Sequence, residues 1–145
     1  MKIKIIEKKN YTFSIDKTKN RVYFLLHRQL WNLEDMEIFL SDWKDIISKV
    51  QLNFTVLSDV QNMQIQSPKL DKSHETIQKF VAENGLLKVA RVLPNDDIVN
   101  LQFGRIAERS ALPNNVFYTI EEAEKYLDEI VQKFEEIQKY DLKRD

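Results

Sequence analysis

The stretch that decides the fold reads LLKVARVL (86–93), DDIVNLQFGRIAERSAL (96–112), NNVFYT (114–119) and IEEAEKYL (120–127). The first segment is an almost continuous apolar run closed by Pro94, which is typical of a strand buried on both faces. The third segment is aromatic and β-branched, a composition that favours a strand. The second and fourth segments carry apolar residues at helical spacing. This order of strand, helix, strand and helix predicts an α/β fold.

Capping residues mark where helices begin and end. Asn32 is followed three residues later by Asp35, and Thr119 by Glu122 at the same spacing, so each pair predicts a capping box at a helix start. Gly85 follows a sparse apolar stripe, which predicts a helix that ends on a left-handed glycine.

The remaining segments extend the same alternation over the whole chain, which is predicted to form a single domain. Strands are predicted in the alternating N-terminal segment and over 21–27, 53–60, 86–93 and 115–119. Helices are predicted over 33–50, from either residue 69 or residue 71 to 84, over 96–111 and over 121–140. The order β-β-α-β-α-β-α-β-α implies a mixed β-sheet flanked by about four helices, with residues 141–145 as a frayed tail. In the third helix, Ile98 and Leu101 are expected on the apolar face, and Gly104 predicts either a close packing contact or a weak spot.

Composition bounds the class of protein. The 145 residues carry a net charge of −1, contain no cysteine and include no apolar run of about 18 residues. We therefore predict a cytoplasmic protein without a membrane span and without nucleic acid as a partner. Residues 1–21 have seven basic and two acidic side chains, a net charge of +5. This segment is either a basic arm for an anionic partner or a lysine-rich edge hairpin.

The sequence contains few residues in patterns that are typical of catalytic or metal sites. His27 and His74 are far apart and lack the spacing of metal ligands, so one is interpreted as a strand-end histidine and the other as a helix-surface histidine. The pair Asp96 and Asp97 stands at a helix start, where capping accounts for it better than acid–base catalysis. We predict no enzyme activity, no catalytic residue, no metal and no cofactor.

The element order resembles the STAS domain, the fold of anti-sigma-factor antagonists, and especially a bacterial branch of STAS-like proteins without assigned activity. The resemblance covers about residues 20–128. It is carried by FYTIEEAEKYL (117–127), which is similar to the closing strand and glutamate-rich helix start of the family, and by KVARVLPNDDIVNLQFGRIAERSAL (88–112). It implies a regulatory protein-interaction module whose partner is another protein.

The functional motif of that family is degenerate in this chain. Family members carry Asp-Ser-Ser-Gly at the start of the second helix, and the second serine is phosphorylated by a partner kinase. The aligned residues here are Gln66, Ser67, Pro68 and Lys69, so proline stands at the acceptor position. A shift of one residue would place Ser67 there. The resemblance therefore implies an interaction loop with a possible phosphosite, formed by Ser58, Asp59 and Ser67.

Two further surfaces are predicted from the residues themselves. The last helix repeats apolar residues at alternating steps of four and three, and Ile130, Phe134 and Ile137 form a possible seam for a homodimer or pack along their own domain.

The carboxyl ends of the parallel strands favour ligands in open α/β sheets. That edge gathers Asn95 and Asp96 beside Ser58 and Asp59 as a strand-end crevice. The aromatic residues expected to line an apolar pocket near it are Trp31, Trp43 and Phe103. Ordinary loop polarity and an ordinary core are the alternative interpretation.

Two functions follow from these patterns. The first is a non-enzymatic regulatory or protein-interaction module with a degenerate phosphorylation motif. The alternative is a binding protein for a small apolar, lipid-like ligand. A preformed cavity of at least about 300 Å³ near the helices favours the second function, whereas a tightly filled core opposes it.

Overall fold

The computed structural model describes residues 1–27 and 31–144, without the side chains of 143 and 144. The strands are β1 (Ile3–Glu7), β2 (Tyr11–Asp16), β3 (Arg21–Leu26), β4 (Phe54–Asp59), β5 (Leu86–Val92) and β6 (Asn114–Phe117). The helices are α1 (Leu33–Ile47), α2 (Asp71–Glu83), α3 (Asp97–Ser110) and α4 (Ile120–Arg144), and a 3₁₀ turn over Pro68–Leu70 leads into α2. The predicted α/β fold with a mixed sheet and four helices is confirmed.

The strands lie in the sheet in the order in which they occur in the chain, from β1 at one edge to β6 at the other. The strands β1, β2 and β3 are antiparallel neighbours, and β3 to β6 are parallel. Crossovers between parallel strands are right-handed, so consecutive ones that advance in one direction place their helices on one face. Accordingly α1, α2 and α3 cover one face of the sheet, and α4 covers the other.

The N-terminal segment forms two strands, where the sequence predicted one alternating strand. The backbone N–H of Lys8 donates to the carbonyl of Tyr11 at 2.9 Å and turns the chain between β1 and β2. The polar run at residues 7–10 has no apolar partner in the core, so the alternation is interrupted there. The result is an edge hairpin, with β1 outermost and the side chains of Tyr11 and Phe13 buried.

Capping confirms the predicted helix starts. The side chain of Asn32 accepts the N–H of Asp35, and the carboxylate of Asp35 accepts the N–H of Asn32, at 2.9 and 2.8 Å. At α4 the hydroxyl of Thr119 accepts the N–H of Glu122 at 3.2 Å and donates to its carboxylate at 2.9 Å. Gly85 has φ +98°, the left-handed conformation predicted at the end of α2.

Two cores of unequal size lie on the two faces. The larger lies under α1, α2 and α3 and contains the aromatic residues Tyr11, Phe13, Phe24, Phe39, Trp43, Phe54 and Phe103. The smaller lies under α4 and is formed by Leu57, Ala90, Val92, Ala123 and Leu127. Strand β5 serves both faces, as its continuous apolar sequence predicted.

A buried arginine holds α4 against its face. Arg21 is 1% exposed, and its Nη1 donates to Glu124 at 2.9 Å and to Asp128 at 2.8 Å, while Nε donates to Thr55 at 2.9 Å. Lys19 also pairs with both carboxylates. Burial alone would raise the pKa of Glu124, but hydrogen bonds from its neighbours and the charge of Arg21 hold that pKa below its ordinary value.

The structure corrects three expectations about the helices. Ile98 and Leu101 are 67% and 57% exposed, because α3 turns Val99 and Phe103 towards the sheet instead. Of the two alternatives for Gly104, the close packing contact is wrong, since a Cβ there would meet no heavy atom of another element within 4 Å. Helix α4 continues to Arg144, past the predicted end at residue 140.

Candidate functional site

A partly enclosed cavity of about 120 Å³ lies between the sheet and the helices α1, α2 and α3. Its walls are mostly apolar, and they include the aromatic side chains Phe24, Trp31, Phe39, Trp43 and Phe103. The apolar pocket predicted from Trp31, Trp43 and Phe103 is therefore present, and all three residues line it. We call it the central cavity.

The aromatic wall is continuous. The rings of Trp31 and Phe39 meet edge to face with centroids 4.8 Å apart, and those of His74 and Phe103 meet in the same way at 5.2 Å. Trp31 also stacks on His74 at 6.0 Å. Edge-to-face and stacked contacts of this kind hold rings in defined orientations. The rings that line the cavity therefore pack against one another as one continuous surface.

His74 belongs to this wall and is buried, so its interpretation as a helix-surface histidine is wrong. It lies on the inner side of α2, and its Nε2 is 2.6 Å from Oε1 of Gln66. Burial lowers the pKa of His74 to about 4, so the ring is neutral at pH 7. A neutral imidazole beside an amide suits a mostly apolar cavity, because no charge is desolvated.

The segment between β4 and α2 closes one side of the cavity. Gln102 on α3 accepts the N–H of Gln66 at 3.1 Å and donates to the carbonyl of the same residue at 3.0 Å. Met63 in this segment is buried and lines the cavity together with Gln66. A single amide side chain thus fixes both backbone groups of the residue that carries the partner of His74.

Arg91 is the charged residue among the described residues that line the central cavity. It is 7% exposed, and its one hydrogen bond to a described residue runs from Nη1 to Oδ1 of Asn114 at 3.4 Å. It forms no ion pair with any described carboxylate. Burial lowers its pKa to about 10, so the guanidinium is charged at pH 7. A buried cation without a counter-ion is rare, because desolvation of the charge is not compensated.

A second cavity of about 210 Å³ lies on the other side of α3, towards β6. Arg91 and Leu112 border both cavities, and Asn100, Gly104 and Asn114 line the second one. Oδ1 of Asn100 is the single buried side-chain polar atom without a hydrogen-bond partner in the described part of the chain. Arg91 therefore borders two separate spaces.

The structure separates the residues of the predicted interaction loop. Ser58 lies in β4, half-buried, and lines the central cavity. Asp59 follows on the opposite face of the sheet and accepts the N–H of Gln61 at 3.2 Å. Ser67 is exposed at the start of the 3₁₀ turn, where its hydroxyl accepts the N–H of Lys69 at 3.3 Å. The three side chains do not form one cluster.

The residues of the predicted strand-end crevice serve the helix start. Asp96 caps α3 by accepting the N–H groups of Ile98 and Val99 at 3.0 and 3.2 Å. Asn95 is exposed beside it. Neither residue lines the central cavity, which lies deeper between the helices and the sheet.

The predicted dimer seam lies on the second half of α4. Ile130 and Phe134 are half-buried, and Ile137 is 59% exposed. Phe134 lines a groove with Leu52 and Leu87 of its own chain, so packing along the domain accounts for part of the seam. The homodimer stays a prediction.

Sequence reasoning missed Arg91, although the sequence contained a signal for it. A basic residue inside a strand that is predicted to be buried on both faces needs either a carboxylate partner or a ligand. The position of Arg91 in LLKVARVL met that condition.

In the described ranges, no three or more His, Cys, Asp or Glu side chains are grouped so that they could hold a metal ion. The helices there include none with the length and apolar character needed to cross a membrane.

Substitution of the two buried arginines of the sheet by methionine should change the stability of the protein in opposite directions. Arg91→Met removes an unpaired buried charge and should raise the free energy of unfolding by about 1–2 kcal/mol. Arg21→Met, the matched control, leaves Glu124 and Asp128 with Lys19 but without the buried guanidinium, and should lower it by about 1–2 kcal/mol. Urea unfolding of the two variants and the parent protein measures both values. A loss of stability in Arg91→Met as large as that in Arg21→Met would contradict the assignment of Arg91 as unpaired.

The buried histidine predicts a pH dependence of stability. Burial lowers the pKa of His74 from 6.5 to about 4. Between these values the unfolded chain binds a proton that the folded protein does not, so the free energy of unfolding should fall as the pH falls from 6.5 to 4. The expected loss is about 3 kcal/mol, and it is absent above pH 6.5.

Urea unfolding at several pH values compares the parent protein with His74→Gln, which should lack this part of the slope. His27→Gln, at an exposed position, is the control and should keep it. Parallel curves for all three proteins would show that His74 does not titrate as its burial requires.

Comparisons of the chain with protein-family models, with curated proteins and with solved structures find no match. The resemblance to STAS domains therefore stays a prediction. The candidate function depends on the geometry of the central cavity and of Arg91.

Proposed function

We propose that this protein binds a small, mostly apolar molecule in the central cavity. The observation that carries the proposal is the cavity itself, which is preformed and lined by five aromatic side chains together with a few buried polar groups. Ligand sites in proteins typically combine an apolar wall with a small number of polar groups that orient the ligand.

The size of the cavity limits the ligand. Its volume of about 120 Å³ is below the roughly 300 Å³ expected for a lipid-like ligand, which argues against that version of the sequence-based hypothesis. An engineered cavity of about 150 Å³ with apolar walls binds benzene. The proposed ligand is therefore about the size of one six-membered ring or a short branched chain.

The proposal assigns no reaction to the cavity. Ser58 and His74 both line it, but Nε2 of His74 is hydrogen-bonded to Gln66 and no hydrogen bond joins the two side chains. A nucleophile paired with a base would need such a bond. Binding alone accounts for the polar groups that are present.

The two tryptophans of the chain, Trp31 and Trp43, both line the cavity and make binding measurable by fluorescence. Titration with benzene should change the tryptophan emission and raise the melting temperature. Ser58→Phe should fill the cavity and abolish both responses. Ser41→Phe, the same substitution on an exposed position of α1, should retain them. A folded parent protein that shows no response to benzene would refute the proposal.

A second candidate function, a phosphorylation-controlled interaction module, is favoured by the position of Ser67. Its hydroxyl is exposed at the start of the turn that leads into α2, where backbone N–H groups favour a phosphate. Ile65, two residues earlier, is 62% exposed and offers an apolar contact for a partner.

Protein isolated from its own host should then carry one covalent phosphate in its intact mass. Ser67→Ala should remove it, and Ser73→Ala, in the first turn of α2, should keep it. Unmodified protein from cells under every growth condition tested, or a phosphate that survives in Ser67→Ala, would argue against this function.

A further inference from the structure

The guanidinium of Arg91 identifies the chemical class of the ligand. Arg91 is 7% exposed, has one long hydrogen bond to a neutral side chain and lines the central cavity. We propose that the ligand is a small carboxylic acid in its ionised form, with its carboxylate paired to Arg91 and its apolar part among the aromatic side chains. This inference rests on the proposed function, because it names the ligand of the same cavity.

The surroundings of Arg91 leave room for such a pair. In the parallel pairing of β4 with β5, Arg91 lies directly beside Ser58, and both side chains line the cavity. The guanidinium has five N–H donors in a planar fork, and only one of them is used by a described residue. The free donors match the two oxygens of a carboxylate, and the hydroxyl of Ser58 is a further donor beside them.

The charges around the cavity favour a monoanion over a phosphate. Among the described residues that line the cavity, Arg91 is the one basic side chain that is charged at pH 7, since His74 is neutral there. One guanidinium neutralises one carboxylate, whereas a phosphate dianion would keep an uncompensated negative charge in an apolar space. The pairing also offsets part of the desolvation cost of the buried guanidinium.

The competing explanation is that Arg91 faces only the second cavity, which its partner Asn114 and the carboxylate of Glu108 also line. In that case a carboxylate would bind on the far side of α3, or not at all. Gly104 lines that cavity and leaves it open, so Gly104→Leu fills it without touching the aromatic wall of the central cavity.

The test uses benzoate and benzyl alcohol, which share a ring but differ in charge. Dissociation constants are measured by tryptophan fluorescence at pH 7 for the parent protein and three variants. The parent protein should bind benzoate roughly 10- to 100-fold more tightly than benzyl alcohol. Arg91→Met should lose that preference and retain benzyl alcohol binding within about threefold. Arg105→Met, an exposed arginine of α3, and Gly104→Leu should behave like the parent protein.

A second measurement needs no variant and therefore holds even if Arg91→Met does not fold. The Nε–H resonance of Arg91 in an NMR spectrum of the parent protein should shift on addition of benzoate and stay in place with benzyl alcohol.

The outcomes separate this inference from the proposed function. Equal affinity for the two probes, or an unmoved Nε–H resonance, overturns the inference that the ligand is a carboxylate. The apolar cavity then remains the proposed binding site. Loss of benzoate binding in Gly104→Leu overturns the placement of the ring in the central cavity. If neither probe nor benzene binds to the parent protein, the proposed function itself fails.

Discussion

The strands follow one another across the sheet in the order of the chain, and the rest of the structure depends on this arrangement. Because β3 to β6 are added in chain order and their crossovers are right-handed, three helices lie on one face and a single helix lies on the other. The crowded face is filled with large aromatic residues from the sheet and from all three helices. Large rings held in fixed orientations do not fill every space between them, and the central cavity lies on this face.

The two faces of the sheet differ in whether their buried arginine has a carboxylate partner. On the α4 face, Arg21 is surrounded by Glu124, Asp128 and Thr55, so its charge is compensated and it fixes the position of the helix. On the other face, Arg91 has a comparable degree of burial but no carboxylate among the described residues. One sheet therefore contains a structural arginine and an arginine whose desolvation is not compensated. Proteins tolerate the second kind mainly where binding or catalysis requires it.

The sequence predicted the fold well where a local physical rule applied. Capping by Asn32 and Asp35, the left-handed Gly85 and the doubly buried strand around Val89 all follow from residue chemistry over short distances. The rules failed where packing between distant elements decides the outcome. Helical periodicity alone did not show which way α3 faces, so Ile98 was expected in the core although it is exposed.

The candidate site was only partly predictable for the same reason. Trp31, Trp43 and Phe103 were expected together because aromatic residues cluster in cores, and they do line one cavity. The burial of His74 depends on which side of α2 packs against α1 and α3, and a single sequence does not show this. That Arg91 has no carboxylate partner among the described residues depends on where all of their acidic side chains lie, which only the structure shows.

The segment between β4 and α2, which Gln102 holds by hydrogen bonds, affects the rates at which a ligand would bind and leave. Two amide hydrogen bonds to Gln66 hold it over the cavity, and each contributes roughly 1 kcal/mol to stability. A molecule that enters by displacing this segment needs an opening in which both bonds break, and local opening of this kind takes microseconds to seconds. Such a barrier slows association and dissociation by the same factor and leaves the affinity unchanged. A weakly bound molecule would then have a longer residence time than its affinity alone suggests.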